Sequence, residues 1–285
     1  MTIAQFQRKI LSSHRKNRRS LPWRKTKNPY RILVSEIMLQ QTQISRVLPK
    51  YKEFLKHFPT LRALARASNK KLLKAWEGLG YWRRALFLKA AAKKILKEHK
   101  GKFPLHPALL EKLPGIGPYT ARAVVCFSAK NRQDIQAFLD TNIRRVYLHF
   151  FFPLRLRSGQ AKVSDKEILE IAQKAVNALP KGIESREWHY ALFDYGAAVL
   201  KDKSINRKSR HYHRQSPFEG SFRSFRTKAV RFLLKKPSGK VSHRALETFL
   251  KNELKKYRSN VQLKEVISSL LNDKLVKRSS RHYSL

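Results

Sequence analysis

Apolar residues recur at three- and four-residue spacing from about residue 3 to about residue 200, and no run alternates as a half-buried strand would. Asn28-Pro29 reads as an N-cap followed by Pro at the first helical position, opening a helix whose apolar stripe includes Ile32, Leu33, Ile37 and Leu39. The same periodicity predicts helices over roughly 45–57, 61–67, 69–77, 83–99 and 107–113. Short connections between many short helices imply an all-α body. After Leu200 the pattern breaks, and residues 201–226 are basic, polar and poorly periodic. A helix over about 222–235, a Pro237-Ser238-Gly239 turn and helices starting near Ser242 and Asn260 follow, and residues 275–285 read as a short hairpin. Three helices ending in a β-ribbon resemble a winged-helix module.

Charge narrows the partner. The chain carries 63 Lys and Arg against 19 Asp and Glu, a net +44, which points to nucleic acid through phosphate neutralisation. On charge alone a structural RNA-binding protein fits as well. A membrane-surface protein fits less well, since no long amphipathic segment dominates. The last 85 residues hold 23 Lys and Arg against 6 Asp and Glu, so the tail too should touch phosphates. The single cysteine, Cys126, excludes an internal disulfide, a multi-thiolate zinc site and a cysteine-ligated iron–sulphur cluster. Its apolar run, Ala123 to Phe127, reads as buried core. The N-terminus lacks a signal-peptide core, and no stretch approaches the ~20 apolar residues of a membrane span. A cytoplasmic protein is expected, nucleoid-associated if bacterial, with no membrane partner.

Leu113-Pro114-Gly115-Ile116-Gly117-Pro118-Tyr119-Thr120-Ala121 carries the most information. A helix end, a Gly-x-Gly turn and an immediate new helix make a helix-hairpin-helix. Gly115 and Gly117 let backbone approach a DNA phosphate, and the N–H groups that open the second helix, with Thr120 in its first turn, face it. Asp140, in Leu139-Asp140-Thr141-Asn142, stands where another helix should begin. Alone it is an ordinary N-cap. The helix dipole and N–H groups there would also keep it ionised, as a stabiliser of a cationic sugar must be. Glu36 shares a helix face with Ile32, Leu33 and Gln40, so burial should keep it protonated near neutrality. Two carboxyls with separated pKa values form an acid and an electrostatic partner.

Taken together, Leu21-Pro22-Trp23-Arg24, Asn28-Pro29-Tyr30, Ser35 to Gln43, Trp76 to Tyr81, Gly101-Lys102-Phe103-Pro104, Leu113 to Ala121 and Asp140-x-Asn142 resemble the endonuclease III superfamily, most closely its MutY-type adenine DNA glycosylases. The match weakens towards Ala191 to Ala197. The resemblance implies that Glu36 protonates adenine, Asp140 stabilises the sugar, Asn142 orients Asp140 and Tyr119 hydrogen-bonds within the acid pair. It implies that Arg24 lines the base pocket, and that Gln41, flanked by Gln40 and Thr42, wedges into the duplex with Tyr81 as a base flips out. Packing in the core is the plainer reading of Tyr81. Superfamily members that nick the strand carry Lys where Tyr119 stands, and a phenol forms no Schiff base.

Three departures stand out. The cluster cysteines are missing, so no cofactor is expected beyond a monovalent cation at residues 115–117, and packing around Trp188, Phe193 and Tyr195 should close that lobe. Lys203, Arg207, Lys208 and Arg210 should take over the cluster loop's phosphate contacts. The tail is too short for a Nudix-like domain and should mainly add affinity. Tyr190 stands near the position from which the family offers Gln or Glu to adenine. The resulting expectation is a two-lobed helix-hairpin-helix DNA glycosylase fold over 1–215, with a six-helix lobe over about 28–130 and a second lobe from 1–27 and 131–215. A basic winged-helix-like module follows over 216–285. The expected protein is a monomeric, monofunctional glycosylase acting on double-stranded DNA, removing adenine opposite 8-oxoguanine or guanine. Removal of thymine from T·G, removal of hypoxanthine, or non-catalytic DNA binding are the alternatives.

Overall fold

The structure, a computed structural model, describes residues 1–128, 135–153, 162–213 and 216–285. In chain order the helices are α1 (Ile3–Asn17), α2 (Pro29–Leu39), α3 (Ile44–His57), α4 (Leu61–Arg66), α5 (Asn69–Trp76), α6 (Arg83–Glu98), α7 (Pro107–Glu111), α8 (Pro118–Ser128), α9 (Thr141–Phe151), α10 (Asp165–Asn177), α11 (Ser185–Asp194), α12 (Phe222–Leu234), α13 (His243–Lys256) and α14 (Leu263–Asn272). Two 3-10 turns (Pro22–Lys25 and Lys203–Lys208), a π-helical turn (Tyr195–Val199) and three short strands, β1 (Lys240–Ser242), β2 (Lys277–Arg278) and β3 (His282–Ser284), complete the described elements. The all-α expectation holds, and Asn28 caps α2 as its sequence suggested, its side chain accepting from the Arg31 N–H at 3.1 Å. No described helix is long and apolar enough to cross a membrane.

Contacts divide the chain into two compact units: Met1–Leu33, Leu105–Lys112 and Ile116–Arg214 form one, and Val34–Pro104, Leu113–Gly115 and Gln215–Leu285 the other. In the first, Thr2 and Gln5 make a reciprocal capping box that starts α1. This places Phe6, fully buried, where its ring meets Tyr147, Phe150, Phe151 and Trp188 at centroid distances of 5.2, 5.4, 5.0 and 5.5 Å. Trp188 and Tyr195 are buried as expected, Phe193 only half so, and the hub comes from the N-terminal helix. The hairpin helices α7 and α8 pack on each other in this unit rather than with the lobe expected over 28–130.

In the second unit Phe54 sits 4.9 Å from Phe58 and 5.7 Å from Trp76 between ring centroids. The C-terminal residues run helix, strand, helix, helix, strand, strand, with sheet order β1-β3-β2 and both pairings antiparallel. That is winged-helix topology, over a core of Phe225, Leu233, Leu246, Leu250, Val266 and Leu270. The tail hairpin appears as expected; β1, three residues long, is too short to show alternation in sequence. This module shares its unit with residues 34–104 instead of standing apart. The reasons are α12 packed on α5, ion pairs Arg83–Asp273 at 3.1 Å and Arg231–Glu77 at 3.9 Å, and a bond from Lys70 Nζ to the Pro237 carbonyl. The lobe limit expected at 130–131 and the limit expected at 215–216 involve residues 130, 131 and 215, which lie outside the described residues.

Phe6→Ala should remove the hub of the first unit and cost about 3–5 kcal/mol, read as a lower urea midpoint for that unit's transition. A loss under about 1 kcal/mol would show that the cluster holds without it.

Candidate active site

Asp140 caps α9: its Oδ1 accepts from the Ile143 N–H at 2.7 Å, and its Oδ2 from Asn142 Nδ2 at 2.9 Å. Asn142 is held in turn, its Oδ1 accepting from Arg145 Nη2 at 2.8 Å. Arg145 also donates to the Gly196 carbonyl. A Cβ on Gly196 would lie 2.5 Å from the Asn142 carbonyl oxygen, so only glycine lets the turn after α11 come this close. The result is a chain of contacts from Gly196 through Arg145 and Asn142 to Asp140. Its electrostatics correct the expectation of a readily ionised Asp140. Burial pushes the carboxyl up, and the bonds from Ile143 and Asn142, with the Arg144 charge, oppose this without overcoming it.

The first unit also holds an aromatic cluster. The half-buried Tyr119 ring meets Phe138 edge-on at 5.5 Å, and Phe138 stacks on His189 at 4.2 Å. Burial lowers His189 to about 4, so this imidazole is neutral. Tyr190 stacks on Phe127 at 4.6 Å and lies 4.5 Å beneath the Arg24 guanidinium, so the two residues assigned to the base pocket do meet. Arg24 spends its fork on Asp194, with Nη1 at 2.8 Å and Nη2 at 2.9 Å. Arg19 Nε at 2.5 Å and His14 Nδ1 at 3.3 Å complete the cluster. Burial alone would raise Asp194, but these partners outweigh it and hold the carboxyl far below its usual range. The sequence reading missed Asp194, although it sits inside the weakly matching segment 191–197.

In the second unit Glu36 is 5% exposed, between buried Ser35 and Ile37, as its stripe suggested. At the end of α2 lies Arg84, which was not foreseen. Its Nη1 donates to the carbonyls of Ile37 at 2.7 Å, Met38 at 3.0 Å and Gln40, and its Nη2 to Thr42 Oγ1 at 3.0 Å and the carbonyls of Leu79 at 3.0 Å and Gly80 at 3.2 Å. Burial lowers this guanidinium to about 10, still charged at neutral pH. One side chain thus ties the turn carrying Gln40, Gln41 and Thr42 to the turn carrying Tyr81. Gln41 and Tyr81 both have left-handed backbones, φ 54° and 45°, strain that persists only when the surroundings impose it. Gln41 is exposed and Tyr81 half-buried.

The hairpin's two glycines differ. Gly115 has φ 75°, and a Cβ there would meet Phe87 Cβ at 2.6 Å. Gly117 is exposed, and a Cβ there would meet nothing within 4 Å. Protein packing thus requires glycine at 115 and not at 117. Thr120 is buried in the following turn.

Residues 34–178 match the family described as HhH-GPD superfamily base excision DNA repair protein. The chain belongs to the HhH-GPD superfamily. It is 35% identical over 200 residues to the adenine DNA glycosylase of Buchnera aphidicola subsp. Baizongia pistaciae (strain Bp), an alignment covering 70% of this chain and 54% of that one. To the adenine DNA glycosylase of Mycobacterium tuberculosis (strain CDC 1551 / Oshkosh) it is 37% identical over 191 residues, covering 67% and 60%. A solved thermostable thymine-DNA glycosylase superposes with a TM-score of 0.59 at 27% identity, covering 69% of this chain and 86% of that one. The chain thus spans between half and two thirds of the length of these curated relatives.

One expectation for this HhH-GPD chain fails. Lys208 is 6% exposed, and its Nζ donates to the Phe152 and Pro153 carbonyls, both at 3.0 Å, just past the C-terminal end of α9. A cation there satisfies helix-end carbonyls and is out of reach of a phosphate. Lys203, Arg207 and Arg210 are exposed, the last donating through Nε to the Lys162 carbonyl at 2.9 Å. Among the described residues no three His, Cys, Asp or Glu side chains are grouped to hold a metal ion, and Cys126 is buried with its Sγ 3.5 Å from His189 Nδ1.

Arg84→Lys keeps the charge and loses the fork. It should cost about 3 kcal/mol by leaving buried carbonyls unpaired, with faster amide exchange in residues 40–43 and 78–81. Native exchange in both turns would show that Arg84 does not join them.

Proposed function

We propose that this chain is a monofunctional adenine DNA glycosylase of base excision repair, removing adenine mispaired with 8-oxoguanine or guanine from double-stranded DNA. The single observation that carries the reading is the Asp140–Asn142–Arg145–Gly196 contact chain, which holds one carboxylate at a helix N-terminus. The names of the adenine DNA glycosylase relatives support adenine as the base. We read it as a monomer working in the cytoplasm without an iron–sulphur cluster.

Glu36, excluded from water, delivers its proton to a ring nitrogen of the flipped adenine. The C1′–N9 bond breaks with its electron pair going to the base, which leaves neutral. The cationic sugar faces the Asp140 carboxylate, whose bonds to Ile143 and Asn142 favour its charged form. Water then adds to C1′, its proton passes to a carboxylate, and an abasic site remains. Tyr119 offers a phenol, so no Schiff base forms there and the strand stays intact. Arg24 and Tyr190 present a face for the base to stack on rather than free donors, because the Arg24 fork is engaged by Asp194. Gln41 and Tyr81 enter the duplex, while Gly117, Lys203, Arg207 and Arg210 lie against phosphates.

A single-turnover panel of adenine, thymine, hypoxanthine and uracil, each opposite several bases, tests the substrate. Adenine should be released opposite 8-oxoguanine and guanine; release of thymine or hypoxanthine alone would overturn the adenine assignment. Asp140→Asn and Glu36→Gln should each slow excision ~10²–10⁴-fold, and near-native excision by either would remove its role. Because burial raises Asp140, the native fold binds that proton more tightly than the unfolded chain. Stability then falls as pH rises from the ordinary carboxyl range through the raised folded value. Asp140→Asn, neutral throughout, should therefore melt no lower than native at neutral pH despite its slowed excision. Borohydride trapping of native protein on substrate duplex should give little covalent adduct; efficient trapping would show that a lysine acts as nucleophile.

A further inference from the structure

The sequence alone gave the C-terminal module no task beyond affinity, yet its first helix reaches a specific residue. Arg223, in the first turn of α12, donates from Nη1 to the Tyr81 hydroxyl at 2.8 Å and from Nη2 to the Ser216 carbonyl at 2.8 Å. Both terminal nitrogens are engaged, so this guanidinium is fixed rather than waiting for a phosphate. Tyr81 lies between two such groups, with Arg84 Cζ 5.4 Å and Arg223 Cζ 6.0 Å from its ring centroid. Arg84 grips the backbone just before it, at the Leu79 and Gly80 carbonyls, and Arg223 grips its tip.

The neighbouring contacts run the same way. Within residues 77–83, Glu77 pairs with Arg231 at 3.9 Å and Arg83 with Asp273 at 3.1 Å, and Asp273 is itself held by Arg226. The pairs of the exposed Arg83 and Arg231 contribute little each. The charged donor on the half-buried Tyr81 hydroxyl is the stronger contact. A tyrosine at φ 45° keeps a sparsely populated backbone only while its surroundings impose it.

We propose that the winged-helix module is a brace for the 77–83 turn, and that Arg223 is a positioning residue that sets the Tyr81 side chain for insertion into DNA. The excision readout rests on the adenine glycosylase reading; the brace itself does not. Full-length native protein, Arg223→Ala, Arg223→Lys, Tyr81→Phe and Arg223→Ala with Tyr81→Phe would be compared in three measurements. Single-turnover release of adenine opposite 8-oxoguanine should slow about tenfold in Arg223→Ala. Affinity for an undamaged duplex should change less than about threefold, since one phosphate contact at most is involved. Tyr81→Phe removes the same hydrogen bond, so the double variant should be no slower than the slower single. Amide exchange in residues 78–83 should quicken in Arg223→Ala, and Arg223→Lys, which lacks the fork, should recover it only in part. Native exchange in Arg223→Ala, or single effects that multiply in the double variant, would overturn the proposal. If the native protein releases no adenine, the adenine reading fails while the exchange measurement still decides the brace.

Discussion

A guanidinium buried among carbonyl oxygens must keep its charge and find acceptors in one plane, and the backbone that supplies them is fixed as a consequence. Arg84 meets that demand from two turns at once, so the end of α2 and the turn before α6 cannot shift independently. Arg145 does the same between Asn142 and the Gly196 carbonyl. In both places the arginine stands behind residues proposed to act, Gln41 and Tyr81 in one case, Asp140 in the other. The energetics favour this use of charge. A lost fork leaves several buried acceptors unpaired, at about 1–3 kcal/mol for each.

The same logic recurs at helix ends. Lys208 directs its ammonium at carbonyls beyond α9, and Arg84 at those that end α2. Carbonyls left over at a helix C-terminus attract cations, and a chain with 63 Lys and Arg has many to offer. Lys208 and Arg84 are structural in this sense, and the exposed basic residues are the ones proposed to meet phosphates. In the segment that follows α11, Lys208, Ile205 and Asn206 are buried, and its end pairs with Val163 through the Val163 N–H to the Lys208 carbonyl at 2.8 Å. Polar and apolar contacts of the chain itself hold this stretch against α9.

What could be read in sequence was local. Periodicity located the helices, Asn28 and Asp140 announced their caps, and Gly115 its tight turn, because each depends on neighbours within a few residues. Long-range partnerships stayed hidden. Nothing near Arg84 distinguishes it from Arg83, which is exposed and paired with Asp273, although one is buried and the other not. Lys208 sits in a run of basic residues, and only its carbonyl partners set it apart from them. Asp140 was recognised as a cap, yet the balance between burial and hydrogen bonds, which decides its protonation, depends on everything packed around it. Arg223 is remote in sequence from Tyr81, and only the folded module joins them.

The claim that a buried arginine supports the carboxylate proposed to react can be tested by the pH dependence of single-turnover adenine excision in native protein and Arg145→Met. In the proposed mechanism Asp140 must be ionised to stabilise the sugar, so the native rate should fall as pH drops through its raised pKa. Removing the Arg145 charge and its hold on Asn142 leaves the carboxylate less stabilised and its pKa higher still. In a variant that remains folded by its far-UV signal, the acid limb should therefore move to higher pH. An acid limb in the same place, with a near-native plateau rate, would contradict that support.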